Sequence, residues 1–218
     1  MDLGIADKTA LVCASSRGLG RGCAEALAEA GVHLVMNARG QDALEEAANS
    51  IRSRFNVRVE TVVADITTLE GQNSVLDVAG TPDILVNNAG GPPPGMWSDW
   101  EKEDFLAAIE SNMLTPIALI KRLLPSMMEK GWGRVVNITS QSVKAPIAVL
   151  GLSNAARAGL TGYVAGTSRQ VAPYGVTINN LLPGVHATNR IEFLDAQIAK
   201  ARGITVKEAS AERAGAIP

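Results

Sequence analysis

The residues best placed to do chemistry lie between Thr9 and Gly31. An apolar run, TALVCA, leads into SSRGLG, and Ala24, Leu27 and Ala28 then recur at helical spacing until Gly31. Gly18 and Gly20 carry no side chain, so main-chain N–H groups around Leu19 can come within hydrogen-bonding distance of a diphosphate. The positive end of a helix dipole favours the same anion. Strand, glycine turn and helix in that order fit a nucleotide site. An ordinary strand-to-helix turn has the same outline, and a lone glycine pattern is a weak signal. Cys13 and Cys23 fit buried reduced thiols better than a disulfide framework. His33 and His186, with no clustered ligands, predict no metal centre.

The elements that must position this turn can be read along the chain. With 218 residues and 46% apolar content there is enough chain for one α/β domain with a full core, and residues 1–218 are expected to form it. A strand over Val32–Asn37, a helix from about Gln41 to Arg54 and a strand over Val57–Val63, ending in Asp65, imply parallel pairing with right-handed crossovers. The strand Ile84–Val86 runs into Asn87-Asn88-Ala89-Gly90 and the loop Gly91–Trp97, whose three consecutive prolines exclude helix. Ser98 and Glu101 read as a capping box. Phe105–Lys130 is apolar on most sides, which predicts burial against the sheet, with Pro116 and Pro125 kinking or dividing it. Arg134–Thr139 is the next strand, Ser153–Tyr174 a helix and Thr177–Leu182 a strand closed by Pro183-Gly184. From Thr188 to about residue 214 the chain reads as polar helix in two pieces broken at Gly203.

Composition excludes several classes. The net charge is −2 and the sequence pI about 5.8, with no basic run, so neither nucleic acid nor an anionic membrane is an expected partner. The start, MDLGIADKTA, lacks a basic segment followed by an apolar one, and nowhere do eighteen apolar residues run together. A cytoplasmic location is expected.

Taken in order, the glycine turn, Asn87-Asn88-Ala89-Gly90, Asn112 on the long helical segment, Asn137-Ile138-Thr139-Ser140, and Pro183-Gly184 followed by Thr188 resemble the short-chain dehydrogenase/reductase family. The texture is most similar to its 3-oxoacyl-(acyl-carrier-protein) reductase branch. The resemblance covers nearly the whole chain. It implies a Rossmann-type, doubly wound parallel sheet in the order 3-2-1-4-5-6-7, with a nicotinamide dinucleotide across the carboxyl ends of the strands. It also implies a homodimer or homotetramer built partly through the two long helices. Family members usually continue with a helix and a seventh strand beyond this point, so the last helix and strand are expected to be lacking here.

The cofactor residues implied are Ala14, Ser16, Arg17, Gly18, Leu19 and Gly20 in the turn, Asp65 at the adenine, and Asn88, Ala89 and Gly90 at the adenosine ribose. Pro183, Gly184 and Thr188 fall on the carboxamide side. The end of the second strand reads Met36-Asn37-Ala38-Arg39, with no carboxylate to grip ribose hydroxyls. Arg39 and Arg17 suit a 2′-phosphate, which favours NADP over NAD; both also fit plain surface charges.

Two departures stand out. Ala14 occupies the position of the family's first glycine, and a left-handed backbone there costs an alanine about 1–2 kcal/mol. Counting from the family's catalytic serine at Ser140, the Tyr-x-x-x-Lys pair falls on Ser153 and Arg157. A phenol of pKa about 10 needs about 4 kcal/mol of help to act at neutral pH. An alkyl hydroxyl, close to water at about 15.7, needs about 11 kcal/mol. The proton must then come from elsewhere: from His186, from a water held by Ser140, Ser153 and Arg157, or from Lys144 in the loop. Tyr163 reads as packing. Two functions follow. One is an NADPH-dependent carbonyl reductase of a small-molecule ketone or acyl thioester, with Ser140 polarising the carbonyl, Asn112 holding a water and Arg157 replacing lysine. The other is a weak or inactive dinucleotide- or acyl-thioester-binding protein, a sensor or partner subunit.

Overall fold

Strand β1 (Thr9–Val12) shows why the sheet must be covered on both sides. Ala10 and Val12 belong to one apolar layer and Leu11 and Cys13 to the other, because successive strand residues point to opposite faces. The structure is a computed structural model and describes residues 2–215. Helix α1 (Gly18–Glu29), β2 (His33–Ala38), α2 (Gln41–Arg54), β3 (Val59–Val63), α3 (Leu69–Ala79) and β4 (Ile84–Asn87) follow β1. Then come α4 (Lys102–Ile109), α5 (Thr115–Glu129), β5 (Gly133–Ile138), α6 (Gly151–Val171) and β6 (Val176–Leu181). All pairings are parallel, in a six-stranded sheet of order β3-β2-β1-β4-β5-β6. This is the Rossmann-type order expected, without a seventh strand among the described residues.

One face of the sheet packs on Ala24 and Ala28 of α1 and on Leu44, Ala47 and Ile51 of α2. The other packs on Val75 of α3, Leu119, Ile120, Leu123 and Met127 of α5, and Leu160 and Val164 of α6. The chain winds outward from β1 to β3 and returns on the far side of β1 as β4. A crevice therefore opens beyond the carboxyl ends of β1 and β4, where such sheets bind ligands.

Several boundaries differ from the sequence reading. Helix α3 went unread; the Thr68 hydroxyl caps it by accepting from the Gly71 N–H. The capping box is Glu101 with Asp104, whose carboxylate accepts from the Glu101 N–H at 2.9 Å, rather than Ser98 with Glu101. The reason is a turn at Met96–Asp99, closed by the Asp99 carboxylate on the Met96 N–H (2.7 Å), which delays the helix. The long apolar segment divides at a π turn, Glu110–Leu114. Pro116 sits in the first turn of α5, directly after the π turn, and Pro125 stays inside that helix. Only α5 is buried as expected; Phe105 and Leu106 of α4 are 37% and 53% exposed.

Contacts divide the chain into two compact units, Met1–Leu182 and Pro183–Pro218. Within the second, α7 (Asn189–Arg202) and α8 (Val206–Gly215) are broken at Gly203, which ends α7 with a left-handed φ of 67°. Arg213 of α8 forks onto both carboxylate oxygens of Asp195 of α7, at 2.8 and 2.7 Å. Among the described residues no helix is long and apolar enough to cross a membrane.

Candidate functional site

At the end of β1 the backbone turns left-handed. Ala14 has φ 47° and Gly18 φ 56°. The Asn88 side-chain amide, just past β4, donates to the Ala14 carbonyl at 3.2 Å. A Cβ added at Gly20 would lie 2.3 Å from that oxygen and 2.7 Å from Asn88 Nδ2, so only glycine fits. The first turn of α1 holds no acidic residue and its start no side-chain cap, which leaves main-chain N–H groups for an anion. Ser15 anchors the turn to β2: its buried hydroxyl accepts from the Asn37 N–H at 3.1 Å. The Asn37 amide in turn donates to the Val62 and Ala64 carbonyls, at 3.0 Å each, holding the ends of β2 and β3 together. Burial pushes the Cys13 thiol up to about 12, against a hydrogen bond from the Asn88 main chain, so it is an inert core thiol.

A cleft of about 700 Å³ opens over this turn. Ala14, Ser16 and Arg17 line it from the turn, Arg39 from the end of β2, Asp65 and Thr67 from beyond β3, and Asn88, Ala89 and Gly90 from beyond β4. The opposite wall is Ala107 and Ala108 of α4, with Ser111 and Leu152. The Thr67 main-chain N–H and hydroxyl both donate to Asp65 Oδ1, at 3.0 and 2.8 Å. These bonds, with a smaller contribution from the Arg39 charge, hold the Asp65 carboxyl below the usual range.

Beside the cleft lies a second, much tighter space. Asn112 sits in the π turn, its amide donating to Ser111 Oγ at 2.8 Å, and its Oδ1 is buried without a partner. The buried Arg157 guanidinium donates from Nη1 to the Ile138 carbonyl at 2.7 Å and from Nε to the buried Ser153 hydroxyl at 3.1 Å. The cavity that Asn112 and Arg157 border, with Asn87 and Asn137, measures about 10 Å³, the lower limit for one water. An amide ladder runs beneath it. Asn87 donates to Asn137 at 2.8 Å and Asn137 to Asn180 at 3.0 Å, each pair directly opposite in the sheet register. Ser140 is engaged in its own turn, its hydroxyl accepting from the Ser142 N–H at 3.1 Å.

The structure thus gathers the turn and the Arg17, Arg39, Asp65 and Asn88–Gly90 set around one cleft, and brings Asn112 and Arg157 to the tight space, with Ser153 bonded to Arg157 behind it. Pro183, Gly184, His186 and Thr188 belong to the second unit. There His186 is exposed, with Nδ1 3.2 Å from the Gly184 carbonyl, and Thr188 precedes α7. Lys144 is exposed and Tyr163 packs against the core. Thr67, Ser111, Leu152 and the Asn137–Asn180 rung went unread. The threonine two after Asp65 was a usable signal, but opposed asparagines show only once strand register is known.

The sequence and shape comparisons agree with this geometry. A family profile described as short chain dehydrogenase matches residues 8–199. The 3-oxoacyl-(acyl-carrier-protein) reductase FabG of Haemophilus influenzae is 33% identical over 193 residues, 86% of this chain and 77% of that protein. The D-beta-hydroxybutyrate dehydrogenase of Cupriavidus necator is 32% identical over 94% of this chain and 81% of its own length. Among solved structures, the L-sorbose reductase of Gluconobacter frateurii, complexed with NADPH and L-sorbose, superposes with a TM-score of 0.89 at 30% identity, covering 95% of this chain and 81% of that one. A parallel sheet reversing at β1 and β4, a glycine turn at that reversal and a family match across most of the chain place it in the short chain dehydrogenase family.

Proposed function

We propose that this short chain dehydrogenase is an NADPH-dependent carbonyl reductase acting on a small-molecule ketone or acyl thioester, similar to 3-oxoacyl-(acyl-carrier-protein) reductases. The observation that carries the proposal is the cleft at the sheet reversal, with a helix N-terminus bare of acidic residues at its base and two guanidinium groups, Arg17 and Arg39, on its wall. The donor set fits a phosphorylated dinucleotide. Main-chain N–H groups at Ser16, Gly18, Leu19 and Gly20 suit a diphosphate. No carboxylate ends β2, where Ala38 and Arg39 stand, so a 2′-phosphate meets positive charge. In this reading Asp65 faces the adenine and Asn88, Ala89 and Gly90 flank the ribose. Pro183, Gly184 and Thr188 keep the carboxamide-side role that the resemblance gives them.

NADPH, when bound, supplies the hydride. The chain's own residues then have three tasks. Ser140 polarises the substrate carbonyl, the unpartnered Asn112 Oδ1 holds a water, and Arg157 takes the place of the family's lysine. Ser153 stands at the family's tyrosine position, so the protein brings no phenolic acid to the oxygen. A water or His186 delivers the proton instead. A groove of about 670 Å³ along α5 and α6, lined by Leu124, Met128, Tyr163, Val171 and Tyr174, supports a homodimer or homotetramer joined through these helices.

One observation favours a second reading, a dinucleotide- or acyl-thioester-binding protein with little turnover. The small cavity beside the cleft is lined by asparagines, Ser111, Arg157 and apolar residues, with no carboxyl, phenol or imidazole. Fluorescence titration with NADPH and NADH, followed by assay with an acetoacetyl thioester, separates the readings. Tighter NADPH binding with turnover supports the reductase, tighter NADPH binding without turnover supports the binding protein, and no dinucleotide binding removes the reductase and leaves only an acyl-thioester binder.

A further inference from the structure

Ala14 is a non-glycine residue in a backbone region that alanine avoids, and the surrounding contacts show what keeps it there. Its carbonyl is held by the Asn88 side chain at 3.2 Å. Asn88 is fixed in turn by its main-chain N–H, hydrogen-bonded to the Cys13 thiol one residue before Ala14. Its Nδ2 also rests against the bare Cα of Gly20, where an added Cβ would come within 2.7 Å. One asparagine beyond β4 therefore touches the residue before the turn, the strained residue itself and the glycine that closes it.

We propose that Asn88 is a positioning residue, a latch that imposes the left-handed backbone at Ala14 and so sets the floor of the cleft by a side-chain hydrogen bond. Where a glycine would take this conformation at little cost, an alanine must be held in it. Because Asn88 and Gly20 belong to the fold, the strain at Ala14 is borne by folding stability and not by the binding step. Removing the latch transfers the cost. Residue 14 then relaxes to an ordinary backbone, and a ligand approaching the turn has to restore the left-handed form. The affinity consequence rests on the dinucleotide reading above; the stability consequence does not.

The test is a double-mutant cycle on the full chain with Ala14→Gly and Asn88→Ala, read by thermal melting without ligand and by NADPH fluorescence titration. With Asn88 present, Ala14→Gly raises the melting temperature by about 2–8 °C. With Asn88→Ala the same glycine adds little. Asn88→Ala weakens NADPH binding about tenfold beside Ala14, and about threefold or less beside glycine, since the glycine relieves about one decade of the cost. A residue needed only for general packing gives additive effects in both readouts, and additivity overturns the latch. So does an Ala14→Gly protein no more stable than the parent. If Asn88→Ala does not fold, Asn88→Ser, too short to reach the Ala14 carbonyl, supplies the same comparison. If no variant binds NADPH but the melting arm is non-additive, the latch stands and the dinucleotide reading alone fails.

Discussion

The two ends of the site are built on different principles. Over the glycine turn the molecule presents main chain: a bare helix start, a left-handed alanine and a glycine that no other residue can replace, opening on about 700 Å³ of space. At the other end it presents side chains, Arg157 bonded to Ser153 and the Ile138 carbonyl and Asn112 with its Oδ1 unpartnered, beside room for at most one water. Recognition of a phosphate by backbone amides depends on the path of the chain and survives a glycine-to-alanine exchange if the path is held. Proton transfer depends on the identity of the donor side chain, and losing a positioned acid costs about 10²–10⁴-fold in rate. The comparison teaches that the first property is carried by the path of the main chain and the second by individual side chains.

The strongest way to break that contrast is to rebuild the chemical end. In the proposed reductase, Ser153→Tyr together with Arg157→Lys restores a phenolic acid and its partner cation. Reduction of an acetoacetyl thioester is expected to rise about 100-fold or more, the range general acid catalysis commands. No gain in steady-state rate would mean that the tight space serves something other than ketone reduction. The dinucleotide end is tested by Arg39→Ala. Loss of a charged hydrogen bond to a 2′-phosphate weakens NADPH binding about 10-fold or more and leaves NADH unchanged. Equal losses for the two in a fluorescence titration would make Arg39 an ordinary surface charge.

Between the two ends runs the amide ladder. Asn137→Ala leaves the buried Asn87 amide without its acceptor and Asn180 without its donor. At about 1–3 kcal/mol for a buried unpaired group, the melting temperature should fall by about 4–10 °C. An unchanged melt would show that the ladder is not holding β4, β5 and β6 in register. The smallest effect concerns the proton. If His186 delivers it, His186→Ala lowers turnover of the acetoacetyl thioester with NADPH affinity unchanged, and unchanged turnover assigns the proton to water.

The legibility of the site follows the same division. Helix α2 was readable to its ends, since Leu44, Ala47 and Ile51 mark one face and Arg54 closes it. The glycine turn was readable because its geometry is one that only certain residues permit, and the left-handed backbone weighed for Ala14 is the one it adopts. Helix α3 was missed because its stop, Gly80, and its cap, Thr68, flank a weakly apolar segment. The capping box was misplaced because Ser98 and Glu101 offer competing starts, and the choice between them rests on the Met96–Asp99 turn.

The order of types along the chain determined the parallel alternation of strand and helix, the position of the turn and the absence of an acid at the end of β2, since each is a property of local residues and their spacing. Only the tertiary structure decided that Asn88 reaches back to Ala14 and that Asn87, Asn137 and Asn180 stack across three strands. It also decided that Arg157 spends its guanidinium on Ile138 and Ser153. Apart from Arg157 and Ser153, one turn apart on α6, these contacts join residues far apart in sequence, and strand register and helix placement, which no local pattern encodes, bring them within hydrogen-bonding distance.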